Sequence, residues 1–204
     1  MALGDWSWTT CVPRVDETRR TGEPPAEYVV RLAEAKARAA AELAASERYV
    51  VAADTAVADG DHLFGKPADA AEAVRMLRLL RGHSHQVYTG IAVLDLPESR
   101  LLTDLCITEV PMRAYADLEI DDYVESGDPF DKAGAYAIQH ASFRPVTHLR
   151  GCYASVMGLP LCHLMRLLDR MHAATPPDLP TQCQRHLAYA CPVSDAILRG
   201  EQAG

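Results

Sequence analysis

The chain has 204 residues, 49% of them hydrophobic and 24% charged, and carries a formal net charge of −8. That length suits one domain with a sizeable core, and the charge argues against a broad nucleic-acid surface, which neutralises phosphates with many Lys and Arg side chains. No apolar run reaches the length of a membrane span and no basic segment with an apolar core opens the sequence, so the expected compartment is the cytoplasm.

Residues 1–10 hold two tryptophans and show no usable period. Residues 13–20 read as a charged loop with the adjacent acids Asp16 and Glu17. Thr21-Gly22-Glu23-Pro24-Pro25 announces a helix, because proline and acids are tolerated or favoured in a first turn. The helix is expected to run to about Ala45, with Tyr28, Leu32, Ala39, Ala40 and Leu43 on its apolar stripe. Lys36 falls on the same stripe. Either its stem covers apolar surface while the ammonium snorkels out, or it is aimed into a cleft beside a sheet; spacing alone favours the first.

The apolar run Tyr49-Val50-Val51-Ala52-Ala53 ends at Asp54-Thr55, and such runs suit covered strands. Ligands collect beyond the carboxyl ends of strands in open α/β sheets, so Asp54 is where chemistry is expected. A loop then returns Lys66 in Phe64-Gly65-Lys66-Pro67. Residues 68–81 read as a helix, 86–94 and 101–112 as neighbouring strands turned at Pro97, and Asp117 as the cap of a short helix. A polar loop over 126–132 leads to residues 133–139, residues 143–149 suit another strand, and 161–171 an amphipathic last helix. Pro176, Pro177 and Pro180 mark a linker, so the domain is expected over 1–174 and a polar tail with one short helix over 175–204. Alternating strands and helices with an antiparallel central pair argue for an α/β fold on a mixed sheet.

The chemistry-bearing candidates are Glu17, Lys36, Asp54, Lys66, Lys132 and Gln139. Carboxylates suit a hard divalent cation such as Mg²⁺ or Mn²⁺, lysines complement phosphate as point charges, and a carboxylate can take a proton from an attacking water. A glutamine can pair with the edge of a base. His83 and His85 form an H-x-H pair that reads as solvated on a turn. The six cysteines lack any C-x-x-C spacing and read as small buried hydrophobes; a disulfide or metal site at Cys183 and Cys191 is the less favoured alternative. No G-x-S-x-G, P-loop or G-x-G-x-x-G is present.

Taken together, Val15-Asp16-Glu17-Thr18, Leu32-Ala33-Glu34-Ala35-Lys36-Ala37, Ala53-Asp54-Thr55 and Gly65-Lys66-Pro67 resemble the Maf family of nucleoside triphosphate pyrophosphatases. The likeness continues through His85-Gln86-Val87-Tyr88-Thr89-Gly90, through Asp131-Lys132-Ala133-Gly134-Ala135-Tyr136-Ala137-Ile138-Gln139, and through Val156-Met157-Gly158-Leu159-Pro160-Leu161. It covers roughly residues 3–168. The resemblance implies a mixed β-sheet flanked by helices, of the Maf and inosine-triphosphatase type, with a cleft at the strand ends. It implies a divalent-metal hydrolase that cuts a nucleoside triphosphate between its α and β phosphates, releasing monophosphate and pyrophosphate. Asp54 would be the proton acceptor, with Glu17, Lys36 and Lys66 around metal and triphosphate and the carboxylates of Glu17 and Asp54 on the metal. Thr55, Lys132 and Gln139 would bind substrate, Thr55 and Gln139 setting the choice of base. The run from Asp131 to Gln139 resembles the dTTP/UTP branch rather than the 7-methyl-GTP branch. By analogy with the family a homodimer is expected, and a non-catalytic role in septum formation is the alternative.

The family's opening Ser-x-Ser-x-Arg-Arg has no counterpart, since Arg19-Arg20 lies in the wrong place. The expectation is that the sequence starts at the end of the helix bearing that motif. A misplaced start codon is preferred over a true loss, because the downstream site residues are retained. Loss of a first strand would expose a sheet edge. Asp128 and Ser155 stand where the family has Glu and Asn.

Overall fold

A computed structural model describes residues 8–44 and 47–204; the likeness over residues 3–7 and the helix end expected at Ala45 lie outside the described residues. The order is α1 (Pro25–Ala41), β1 (Tyr49–Asp59), β2 (His62–Phe64), α2 (Ala70–Leu80), β3 (Ser84–Asp95), β4 (Arg100–Pro111) and α3 (Asp117–Glu125). Two short 3₁₀ turns, Asp128–Asp131 and Ala133–Ala135, precede α4 (Tyr153–Val156), α5 (Leu161–Arg170), α6 (Leu179–Leu187) and α7 (Ser194–Leu198).

The strands form one sheet in the order β2-β1-β3-β4. The α/β class holds, and helices flank the sheet. All three pairings among the described strands are antiparallel, in place of the expected mixture. The reason is connectivity: β1 to β2 and β3 to β4 are tight hairpins, and α2 returns the chain antiparallel to β1.

β1 and β3 are covered on both faces, which is why they read as near-continuous apolar runs. Alternation sends Val50, Ala52, Ala92 and Leu94 toward Ala33, Ala37 and Ala40 of α1. It sends Ile91 and Val93 toward Leu161, Leu164 and Leu167 of α5, and Val57 and Val87 toward Leu77, Leu80, Ile120 and Tyr123 of α2 and α3. Each fully buried Leu or Ile in these layers contributes roughly 1.5–3 kcal/mol.

The helix–sheet approach on the α1 side is unusually close. A Cβ at Gly90 would fall 2.5 Å from the Val29 carbonyl oxygen and 2.7 Å from the Val30 nitrogen. Only glycine lets α1 settle there, and Gly90 is the β3 partner of Asp54.

Several boundaries differ from those expected. β1 does not stop at Asp54; it continues through Thr55, Ala56 and Val57 to Asp59 and turns through Gly60 into β2, so Asp54 is a mid-strand residue. The buried stripe of α1 is Val29, Leu32, Ala33, Ala37 and Ala40, turned from the expected one. Leu43 lies past the helix end and is 64% exposed. The N-cap of α3 is Ala116 and not Asp117; Asp117 instead takes Arg81 at 2.7 Å and Arg78 at 3.1 Å, tying α3 to α2. Residues 143–149 form no strand, only a single bridge from Val146 to Met112. Arg144 there has a φ of 42°, and Pro145 cannot donate to a ladder.

The tail holds two helices where one was expected. Leu179, Cys183 and Leu187 recur every four residues, and Leu179 and Ile197 are fully buried. Leu179 packs in the α5 layer. Among the described residues no helix is long and apolar enough to cross a membrane.

Gly90→Val should therefore lower stability by about 1–3 kcal/mol, the range for overpacking, read as a lower urea midpoint with an unchanged slope. An unaltered midpoint would contradict the close approach of α1.

Candidate active site

The site begins with the loop before α1. Glu23 is tucked against the helix, where Arg31 grips both its carboxylate oxygens at 2.5 and 2.8 Å and the Arg20 amide adds a third bond at 3.0 Å. Arg31, acting through this hydrogen-bonded pair, holds the Glu23 carboxyl down at about 2. The same loop is fastened by Tyr28, which donates to the Glu17 carbonyl at 3.0 Å, and by Arg31, which donates to the Thr18 carbonyl at 3.2 Å. These bonds deliver the Glu17 side chain over α1.

Lys36 is what it meets. The Lys36 ammonium sits 2.6 Å from Asp54 Oδ1 and 2.8 Å from Glu17 Oε1. Its side chain is 23% exposed, Asp54 10% and Glu17 55%, so the pair deepens from rim to sheet. Of the two readings of Lys36, the structure selects the cleft.

Burial pushes the Asp54 carboxyl above the usual aspartate range, although the Lys36 hydrogen bond pulls it back. Burial also opposes the charge on Lys36, and the bonds to Asp54 and Glu17 outweigh it, so the ammonium holds its proton more firmly than a free lysine does.

A cleft of about 330 Å³ opens beside this pair, lined by Lys36, Ala53, Asp54, Thr55, Lys66, Asp131, Tyr136 and Gly158 among others. It runs along the flank of β1 that β2 covers only over Val57–Asp59. Lys66 is exposed at its mouth. The loop that carries Lys66 is tied to the 128–139 segment by the Gly134 amide, which donates to the Gly65 carbonyl at 3.0 Å. Gly134 has a φ of 71°, and a Cβ there would press on Val57 at 3.0 Å, so this junction also requires glycine.

The structure brings together Glu17, Lys36, Asp54, Thr55 and Lys66. It does not bring Lys132 or Gln139 to the cleft wall. The Lys132 ammonium is engaged with Asp131 at 2.6 Å and with Asp128 at 3.2 Å, and Gln139 is exposed just past the buried run that ends at Ile138. Asp128, one of the departures, also accepts from Tyr123 at 2.6 Å.

Thr55 faces the opposite side of β1 from Asp54. Its hydroxyl lies 2.9 Å from that of Thr89, and Thr89 donates to the Ser155 carbonyl at 2.9 Å. Because the Thr89 proton is committed to Ser155, Thr55 is the donor in the first bond, and its own oxygen keeps a lone pair for the cleft. Thr89, Ser155, Tyr136 and Asp131 were given no role from sequence. Thr89 stands in a covered strand, where a buried threonine could have flagged the relay; Ser155 acts through its carbonyl, which leaves no mark in sequence. The H-x-H pair splits: His83 is exposed and 2.9 Å from Asp59, whereas His85 is buried with Nε2 2.8 Å from the Tyr136 hydroxyl. His85 is therefore not solvated, because β3 carries it inward. Burial takes it down to about 4, so it stays neutral at physiological pH.

The Maf-like protein family model matches residues 2–171. Among similar proteins, the dTTP/UTP pyrophosphatase of Geobacter sp. (strain M21) is 46% identical over 154 residues, which is 76% of this chain and 79% of that protein. The dTTP/UTP pyrophosphatase of Geobacter sulfurreducens is 44% identical over 174 residues, 85% of this chain and 90% of that one. That of Salmonella typhimurium is 42% identical over 168 residues, covering 82% and 84%.

Lys36→Met should move the titration of Asp54 to higher pH, since the one bond and the nearest charge that favour the carboxylate are removed. Carboxyl carbon NMR of the folded variant checks this; an unchanged or lower titration would contradict the pairing.

Proposed function

The chain belongs to the Maf-like family, and on that premise we propose that it is a nucleoside triphosphate pyrophosphatase acting on dTTP and UTP. The observation that carries the reading is the cleft in which Asp54, Lys36 and Lys66 converge, with Glu17 held on Lys36 beside it and a threonine that offers a hydrogen-bond acceptor.

A divalent cation fits this site, because Glu17 and Asp54 already close on one cationic position, filled here by the Lys36 ammonium. Mg²⁺ and Mn²⁺ commonly use one or two carboxylates plus substrate phosphates. Glu17 and Asp54 would hold the ion, which when bound neutralises phosphate charge. The ammonium of Lys36, kept beside Asp54, would also face the triphosphate, with Lys66 at the mouth as a second point charge. This matters for a chain of net charge −8 that must accept a polyanion.

Asp54 takes the proton of the attacking water. A carboxylate raised by burial is a better acceptor than a surface aspartate at the same pH. The water oxygen bonds to phosphorus at the α–β bridge as the bridging bond breaks, leaving monophosphate and pyrophosphate. The rest of the work is positioning and charge neutralisation.

Thr55 reads the base. With its proton donated to Thr89, its oxygen can accept the N3–H that thymine and uracil carry and cytosine lacks. Lys132 and Gln139 lie on the segment bordering the cleft and are proposed to reach substrate on closure. We further propose that residues 1–174 form the catalytic unit, followed by the tail over 175–204, in a cytoplasmic homodimer.

Pyrophosphate release should follow addition of dTTP or UTP with Mg²⁺ or Mn²⁺ and be weak with dCTP and CTP. Asp54→Asn should reduce kcat by about 10²–10⁴-fold, the usual worth of a general base. Thr55→Val should narrow the preference over cytosine nucleotides. Absence of turnover on every triphosphate, or full activity in Asp54→Asn, would overturn the proposal.

A further inference from the structure

Five cysteines that are far apart in sequence converge where β4, α4 and α5 meet α6 and the loop beyond it. Cys152, Cys162, Cys183 and Cys191 line one small apolar cavity, and Cys106, Cys152 and Cys183 share a packing cluster. Among the described residues no three His, Cys, Asp or Glu side chains are gathered closely enough to hold a metal ion. The chemistry open to these sulfurs is therefore pairwise.

One pair stands out. Cys106 on β4 and Cys152 at the N-cap of α4 are 1% and 4% exposed and pack together in one buried cluster. Behind Cys106 lies His163 of α5, fully buried, whose Nδ1 is 3.0 Å from Asp104 Oδ2. Its Nε2 is buried without a hydrogen-bond partner, and Cys106 is near enough for its charge to bear on the imidazole. Asp104 is in turn gripped by Arg166, whose Nε donates at 3.0 Å. The arrangement is a carboxylate and an imidazole joined by a hydrogen bond beside two thiols that pack on one another.

We propose that Cys106 and Cys152 form a redox-sensitive dithiol, in which Cys106 is the attacking sulfur and Cys152 the resolving one, oxidised by hydrogen peroxide to an internal disulfide. The Cys106 thiolate attacks one peroxide oxygen; the O–O bond breaks, and Cys106 becomes a sulfenic acid as hydroxide leaves and takes up a proton. The Cys152 sulfur then attacks the Cys106 sulfur, the S–O bond breaks and a second water departs. Two thiols are oxidised and one peroxide is reduced, giving a disulfide and two waters. The adjacent Cys152 and the neighbouring His163 both lower the Cys106 thiol against the opposing effect of burial, and the thiolate is the reactive form. Burial would lower the His163 imidazole, yet its bond to Asp104 and the adjacent Cys106 raise it to about 9.

Access is set by the segment after α7. Gly204 lies over Cys106, where even a Cβ would come within 2.6 Å of the sulfur. Arg166 holds this cover by donating to the Ile197 carbonyl at 3.1 Å and the Glu201 carbonyl at 3.2 Å. Residues 201–204 are coil, so peroxide reaches Cys106 when that coil lifts. Cys152 opens α4, whose Ser155 carbonyl holds Thr89 and whose end leads to Gly158 in the cleft wall. A link at Cys152 thus lies about one helical turn from the nucleotide site.

The test treats the reduced full chain with hydrogen peroxide, alkylates the remaining thiols under denaturing conditions and maps the peptides by mass. The expected product joins the peptides of Cys106 and Cys152, lighter by two hydrogens, and is reversed by dithiothreitol. In Cys152→Ser the intermediate should be trapped on Cys106 by dimedone. The proposal fails if both thiols stay free while the exposed Cys11 is oxidised, or if the linked pair is another one. A folded Cys152→Ser protein without a dimedone adduct would overturn the assignment of Cys106 as the attacker.

Discussion

The structure depends on a charge pair placed across a helix–sheet interface. Lys36 of α1 and Asp54 of β1 meet at 2.6 Å beside an apolar layer of alanine, valine and leucine. Each charge offsets the desolvation that partial burial imposes on the other. They can meet because Gly90, the β3 neighbour of Asp54, lets the α1 backbone come down onto the sheet, and because Ala33, Ala37 and Ala40 keep that face thin. The Glu23–Arg31 clamp then lays the preceding loop over the helix and brings Glu17 to the same ammonium. A core-packing constraint and a cluster of functional charges are one feature.

How much of this was legible in sequence varies by element. The strands β3 and β4 and the helix α2 are legible from periodicity, as is the presence of α1, whose buried stripe is nonetheless turned from the expected one. The end of β1 was misplaced because a carboxylate in an apolar run looks like a terminus; nothing local announces a lysine eighteen residues upstream that makes Asp54 tolerable in mid-strand. Lys36 itself was ambiguous for the same reason, as its meaning lies in its partner. Residues 143–149 read as a strand from their hydrophobicity, whereas the left-handed Arg144 and the Pro145 ring turn the chain away from the sheet. Phe143 instead stacks on Tyr123 with ring centres 4.3 Å apart.

Of the residues singled out in sequence, the structure gathers Glu17, Lys36, Asp54, Thr55 and Lys66 and leaves Lys132 and Gln139 off the cleft wall. Glu17, Lys36, Asp54 and Thr55 are fixed by backbone elements and by each other. Lys132 spends its charge on Asp128 and Asp131, a pairing that spacing makes available but does not demand. The relay from Thr55 through Thr89 to the Ser155 carbonyl joins three remote segments, and only the fold reveals which way its protons run. The prolines after Thr175 suggested a linker, yet the four-residue recurrence of Leu179, Cys183 and Leu187 builds a helix that covers α5 and closes the cysteine cluster.

The central claim is that Lys36 and Asp54 act as a unit in the proposed hydrolysis. A double-mutant cycle on kcat/KM for dTTP, using Lys36→Met, Asp54→Asn and the combined variant, tests it most directly. Residues that work as one show losses far from additive, so the double variant should be about as impaired as Asp54→Asn alone. Losses that simply multiply would contradict the account, since each residue would then be acting independently of the other.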